Sequence, residues 1–306
     1  MSDLVNQIRE ACARVAEHAR HVRVEAEVIP GYAATLPRQL LRPNPPSPLA
    51  AAEREALCAY WLTLDAINFG SGWFPTLRKP PGRSGYATIA GGLSDRFEQR
   101  GPWSAAELAR IGSAELAPTL GQDPDHELIG LFAESLQDFG SHVRDEHAGS
   151  FAGVVDSAGG SAVALAQRLG GWSCFADSSS YDGFAVPFFK RAQIAAADIA
   201  RARAGRFGDL DRLTMFADNL VPHVLRLDGV LTFADELTAR IERGELIEPG
   251  AAAEVEIRAC ALHAVELIVA ARPGCSAAEL DQLLWQRGQL PRYKAQPRHR
   301  SRCTAY

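Results

Sequence analysis

The sequence predicts an all-α fold, mainly helical with a few short strands, and three observations carry that expectation. Apolar residues recur at helical spacing through most of the 306 residues. Strand-like alternation is confined to a few short runs. There is no βαβ rhythm and no Gly-x-Gly-x-x-Gly after a strand, which argues against a doubly wound sheet.

Along the chain, residues 3–20 place Val5, Ile8, Ala11 and Val15 at helical spacing with charges between them. Val22–Val28 alternates for a few residues, as a short strand would. Residues 50–67 read as a long buried helix, and Tyr86–Ile89 as a short ribbon piece. Ser104 opens a capping box, Ser-Ala-Ala-Glu, and so a helix to about Ile111. Residues 125–143 form another helix, and Ser157–Leu169 one more. Phe184–Phe188 reads as a ribbon piece, overlapping a helix expected over Val186–Ala204. A further helix starts at Asp218. Pro249-Gly250 introduces the clearest helix, 250–271, with Glu254 and Arg258 as an i,i+4 pair and Ala-Arg-Pro-Gly ending it. Ser276 caps the last, SAAELDQLLW. Proline- and glycine-rich loops at 42–48 and 79–85 are too short to be linkers. One helical domain over 1–306 is expected, with two lobes, about 1–150 and 151–306, and a ligand pocket between them.

Composition narrows the function. Hydrophobic residues at 47% and charged residues at 23% are ordinary for a globular protein. A net charge of −5 argues against tight binding of long nucleic acid, which needs a basic face. It leaves room for a small anion held by two or three cations. The six cysteines show no CxxC spacing and read as free thiols. The first twenty residues lack the apolar core of a signal peptide, and no apolar run reaches the roughly 20 residues of a membrane span. A cytoplasmic protein is expected, without membrane partner, metal or cofactor; oligomeric state is not legible.

Several motifs read better as structure than as sites. His142, Glu146 and His147 in HVRDEH have one residue too many for a zinc helix, so a solvated helix end is preferred. Asp123–Glu127 lacks the glycine of a calcium loop and reads as a helix start. AGGSA at 158–162 resembles an anion cradle but has no lysine at P-loop spacing. DSSSYDG at 177–183 is a polar turn rather than a nucleophile elbow.

Two places point to chemistry. Lys190, Ile194 and Asp198 share one helix face among phenylalanines and alanines. They suit the wall of a polar pocket equally with a snorkelling lysine and an ion pair from Asp198 to Arg191 or Arg201. Asp218 is sharper: an acid inside the apolar run LTMFADNLVPHVL, costly to bury without a partner or a task. An N-cap with no further role would also account for it.

The segments KRAQIAAADI, FGDLDRLTMFADNLVPHVL, EVEIRACALHAVELI, LDQLLW and HRSRCTAY occur in that order. Together they resemble the queuosine salvage family, N-glycosylases that release queuine from queuosine 5′-phosphate. The likeness covers residues 170–306 well, and INFGSGWF at 67–74 more loosely. It implies a fold related to the helix-hairpin-helix DNA glycosylases, with Asp218 as the active-site carboxylate. It also implies that Phe216, Asp281, Gln282 and Gln286 contact the base. The chain departs from the family at Asn219-Leu220, where Tyr-Arg is common, at Trp285-Gln286, where Trp-Asp is common, and at the extra glycines Gly70 and Gly72.

The resemblance gives the residues a reaction. A 7-deazaguanine carries carbon at position 7 and is not readily protonated there, so the burden falls on positive charge at the sugar. A carboxylate below C1′ meets it, as oxocarbenium partner or as nucleophile. Phe216 and Trp285 would sandwich the base, Asp281 would accept from its N–H groups or pair with the side-chain ammonium, and Lys190 would take the 5′-phosphate. The terminal HRSRCTAY, with His299, Arg302 and Tyr306, reads as a docked tail. The competing readings are a DNA-repair-type glycosylase and a non-catalytic nucleotide- or base-binding protein of the same fold; the acidic charge weighs against the first.

Overall fold

The computed structural model describes residues 3–37 and 52–306; the proline-rich stretch 42–48 and the first two residues of the helix expected from position 50 lie outside them. The fold is mainly helical. Helix α1 (Leu4–His18) is capped by Asp3, and α2 (Ile29–Thr35) comes after β1 (Val22–Val24). Next come α3 (Arg54–Ala66), α4 (Gly85–Arg100), α5 (Ala105–Leu108), α6 (Ser113–Leu120) and α7 (Glu127–Glu146). Helices α8 (Phe151–Asp156) and α9 (Ala162–Gly170) lead to the hairpin of β2 (Ser178–Tyr181) and β3 (Phe184–Pro187). Helix α10 (Lys190–Arg201), α11 (Leu220–Leu227), β4 (Leu231–Phe233), α12 (Asp235–Glu242), α13 (Ala252–Ala270), α14 (Ala277–Gly288) and α15 (Pro291–Lys294) complete the order.

Helix α13 is the centre of the packing. It is apolar on nearly every side, as a helix enclosed by others must be. The amphipathic α1 lays Val5, Ile8, Cys12 and Val15 against it. A buried carboxylate on α13 organises the elements around it: Glu256 Oε2 accepts the N–H groups of Arg20, His21 and Val22 at 3.0, 2.6 and 3.1 Å. Its Oε1 accepts from the Tyr181 hydroxyl at 2.9 Å. One side chain thus satisfies the chain leaving α1, directs β1 onto β4, where Val22 faces Phe233, and fixes the β2–β3 hairpin. Helix α10 packs against both α9 and α3.

The structure adds short helices that the sequence reading did not name and ends β1 at Val24, and in three further places it moves an expected element. Residues 86–89 lie inside α4, because Ser84 Oγ accepts from Ala87 N at 3.1 Å and nucleates a helix that four alternating residues do not reveal. The helix expected from Ser157 begins at Ala162: Gly159 and Gly160 adopt φ of +60° and +80°, and the chain turns before Ser161 caps α9. Val186–Pro187 belongs to β3, and α10 starts only at Lys190. There the Asp177 carbonyl accepts from Phe188 and Phe189, and the Asp177 carboxylate accepts from Lys190 N at 2.9 Å.

Candidate active site

Asp218 stands two residues ahead of α11. Its Oδ1 accepts the first two helical N–H groups, Leu220 N at 2.8 Å and Val221 N at 3.1 Å, so the side chain does cap the helix. One oxygen suffices for that. Oδ2 has no hydrogen-bond partner among the described residues, and Asp218 lines a cavity of about 1660 Å³. The cap therefore leaves one oxygen of this cavity-lining carboxylate unengaged among the described residues.

The cavity wall draws on residues from 52 to 94 and from 190 onward. It includes Phe216, Lys190, Ile194, Asp198, Asp281, Gln282 and Trp285 as well as Asp218. Gln286 is the exception. The face of α14 on the cavity carries Asp281, Gln282, Trp285 and Gly288, with Gln289 just past its end, and Gln286 lies off that face. Gln289, three residues on, lines the cavity where Gln286 does not.

Asp281 is buried, and its Oδ1 accepts from Phe216 N at 3.1 Å. That bond ties α14 to the segment carrying Phe216 and Asp218. Burial first, and then the Asp218 charge, push the Asp281 carboxyl well above the usual carboxylate range. Trp285 meets Tyr86 edge-on, with ring centroids 6.4 Å apart at 80°.

Lys190 is 5% exposed, and its Nζ donates to the Asn68 carbonyl at 2.8 Å. Burial lowers its pKa, and the charges of Asp218 and Asp65 oppose that shift. It is a cation set among carboxylates, fixed to the INFGSGWF segment. Asp198 pairs with Arg201 at 2.8 Å, one of the two partners expected for it. Burial raises the pKa of Asp198, and raises that of the fully buried Asp65, where the Asp198 charge adds to it. Asp65 went unread because it sits inside a helix, WLTLDAI, whose pattern spoke only of burial.

Behind the acid lies a network that local sequence could not reveal. Arg258, 1% exposed on α13, donates from Nε to the Ala217 carbonyl at 2.9 Å and from Nη2 to Asp177 Oδ2 at 2.7 Å. Asp177 Oδ2 is the atom that also receives Lys190 N. The guanidinium lies 3.9 Å above the Phe188 ring and 4.7 Å from that of Tyr306. Burial would depress Arg258, but Asp177 and then Glu254 override it and push its pKa up. The i,i+4 pair expected of Glu254 and Arg258 is present at 3.7 Å, and both residues are buried. One ion pair thus sets the backbone beside Asp218 and the start of the helix carrying Lys190.

The terminal segment closes the site. Gly70 N donates to the Tyr306 carbonyl at 2.9 Å, and Asn219 Nδ2 to the His299 carbonyl at 3.2 Å. A Cβ at Gly72 would lie 2.4 Å from Ser301 O, so only glycine lets the tail approach there. Arg302 Nη1 pairs with Glu127 at 3.3 Å, outside the cavity wall.

Several buried polar atoms without partners among the described residues lie in this cavity. Trp61 Nε1, Ser71 Oγ and His223 Nδ1 are among them, and all three residues line it. His223 Nε2 lies 2.9 Å from the Tyr293 carbonyl, which makes Nε2 the protonated nitrogen and Nδ1 a bare acceptor. Orphaned donors and acceptors around aromatic walls are what a polar, flat ligand satisfies.

The AGGSA and HVRDEH motifs are occupied structurally. Ser161 Oγ and Ala162 N both donate to Asp209 at 2.6 Å, so the protein's own carboxylate fills the AGGSA helix start. His142 stacks on Trp172 at 4.8 Å, and its Nδ1 lies 2.5 Å from Glu146 Oε1.

Comparison with known proteins places this site in context. A family model described as queuosine salvage protein matches residues 48–306. A queuosine 5′-phosphate N-glycosylase/hydrolase of Sphaerobacter thermophilus is 35% identical over 308 residues, covering 96% of this chain and 95% of that protein. Proteins of the same name from Mus musculus and Dictyostelium discoideum are 28% identical over 333 residues and 31% over 260. They cover 97% and 81% of this chain, and 98% and 77% of their own lengths.

Proposed function

This chain belongs to the queuosine salvage protein family, and from that premise we propose that it hydrolyses the N-glycosidic bond of queuosine 5′-monophosphate, freeing queuine for salvage into tRNA. The observation that carries the assignment to a site is the divided role of Asp218. One carboxylate oxygen is bound to helix N–H groups, the other has no partner among the described residues, and the residue lines a large cavity with aromatic walls.

The bond between C1′ and the base nitrogen breaks, and its electron pair leaves with the base. Asp218 stands where the sugar becomes cationic, as electrostatic partner or as the nucleophile that water later displaces from C1′. Water supplies hydroxyl to C1′ and a proton to the departing base, giving ribose 5-phosphate and queuine. Phe216 and Trp285 offer the flat slot. Asp281 keeps one oxygen on Phe216 N, and its carboxyl is suited to the donor edge of the base. Gln282 adds a neutral polar contact. Asp198, with Asp65 behind it, gives the cavity an acidic end suited to the secondary ammonium and diol of the queuine side chain. Lys190, ringed by Asp218 and Asp65, suits the sugar side of the acid better than a phosphate. The ligand in this reading lies between the segments before and after residue 150. Among the described residues no helix is long and apolar enough to cross a membrane.

The test is incubation with queuosine 5′-phosphate and detection of queuine by mass. Queuine release by the wild type and its loss in Asp218→Asn support the reading; release at equal rates by both removes Asp218 from it.

A further inference from the structure

We propose that Arg298 and Arg300, two alternate residues of the docked tail, form the clamp for the substrate's 5′-phosphate monoester. This deepens the proposed function and rests on it for the identity of the sugar.

The tail backbone is held by hydrogen bonds where the two arginines sit. The Pro297 carbonyl accepts from Arg226 Nη2 at 3.1 Å, the His299 carbonyl from Asn219 Nδ2 at 3.2 Å, and the Arg300 carbonyl from Ile247 N at 2.9 Å. Burial alternates along this stretch. His299 and Ser301 are accordingly buried, whereas Arg298 and Arg300 are half-buried and both line the cavity. Asn219, which holds the tail, is the residue after Asp218. The clamp is therefore anchored one peptide from the acid assigned to C1′, and in the substrate only the furanose ring and the C5′ methylene separate the phosphate ester from C1′.

The other cations of the wall are committed or exposed. Arg54 donates twice to Asp156, at 3.0 and 2.6 Å, Arg201 pairs with Asp198, and Lys190 Nζ is held by the Asn68 carbonyl. Arg83, Arg203 and Lys294 are exposed. The guanidinium groups of Arg298 and Arg300 have no hydrogen-bond or ion-pair partner among the described residues. A half-buried guanidinium without a counter-ion is costly, and a phosphate offers it a bidentate acceptor. Burial lowers the Arg298 pKa, and the Asp218 charge is the leading influence against it, which agrees with its closeness to the acid.

The test uses binding and turnover separately. Calorimetry on the purified protein compares ribose 5-phosphate with ribose, and kinetics compares queuosine 5′-phosphate with queuosine. Wild type should favour the phosphorylated member of each pair. Arg298→Gln should reduce that preference roughly 10- to 100-fold, the value of hydrogen bonds to a charged group. Arg298→Gln with Arg300→Gln should abolish it, and Arg298→Lys should retain part of it. Lys190→Ala should weaken nucleotide and nucleoside equally. If Arg298→Gln melts early, Arg300→Gln and Arg298→Lys carry the comparison. A wild-type preference in these variants, or its selective loss in Lys190→Ala, overturns the clamp. If ribose 5-phosphate binds through Arg298 but no queuine is released, the clamp stands and the proposed reaction falls. Queuine release with a phosphate preference indifferent to Arg298 has the reverse meaning.

Discussion

At the scale of the residue, Asp218 has two jobs and its substitutions separate them. Asn keeps an oxygen for the N–H groups of α11 but loses the charge that meets the sugar cation. Asp218→Asn should therefore bind nucleotide within a few-fold of wild type and lose roughly 100- to 10,000-fold in kcat, the usual range for removing a catalytic charge or nucleophile; pre-steady-state binding with single-turnover kinetics checks this. Asp281 makes a pH prediction. Its carboxyl is held well above the ordinary range by burial and by Asp218. A base that presents N–H donors prefers the ionised form, so binding must expel a proton wherever Asp281 is protonated. Queuine affinity should fall as pH decreases, beginning well above the unperturbed aspartate value, and Asp281→Asn should bind weakly with a flat pH profile. Calorimetric titration across pH reads both; a wild-type affinity independent of pH contradicts the assignment. Asp218 was legible in the sequence because an acid in an apolar run is conspicuous. Arg258 and Asp177 were not: they are 81 positions apart, and nothing local marks either as the other's partner.

At the scale of the element, the tail and the INFGSGWF segment form one unit. The docked tail was expected, but not the reason for the glycines across from it. Gly70 has φ of +106° and donates to the Tyr306 carbonyl, and Gly72 has no room for a Cβ beside Ser301 O. Gly72→Ala should cost roughly 1–3 kcal/mol as an overpacked contact, with a Tm lower by several degrees. Differential scanning calorimetry measures it, and an unchanged Tm would mean that the tail is not seated there. Element limits were legible where a side chain caps its own helix, as Ser104 and Ser276 do in their capping boxes. They were not legible where a distant group decides. The start of α10 is set by Asp177, and a pattern of apolar residues alone carried the expected helix back to Val186.

At the scale of the whole molecule, the helical class followed from periodicity, and the helices enclose buried titratable groups with opposing effects on stability. His223 and His299 are buried, and burial holds them down to about 4 and about 3. For a histidine depressed in the fold, the unfolded chain binds more protons below pH 6.5. Its stabilising contribution is complete above that value and is lost as pH falls toward the folded pKa. Asp65, Asp198 and Asp281 are raised, so their contribution is instead lost as pH climbs from 3.8 through their folded values. His299 lies off the cavity wall and isolates the first effect: between pH 6.5 and 4, His299→Asn should flatten the acid loss by roughly 1 kcal/mol per pH unit. Urea unfolding at several pH values tests the slope, and parallel curves for variant and wild type would refute it. The central claim concerns Asp218 and the sugar. The most direct measurement is queuine release from queuosine 5′-phosphate by wild type and Asp218→Asn at matched, saturating occupancy. Release by the wild type with near-complete loss in the variant is the predicted result, and equal release by both would contradict it.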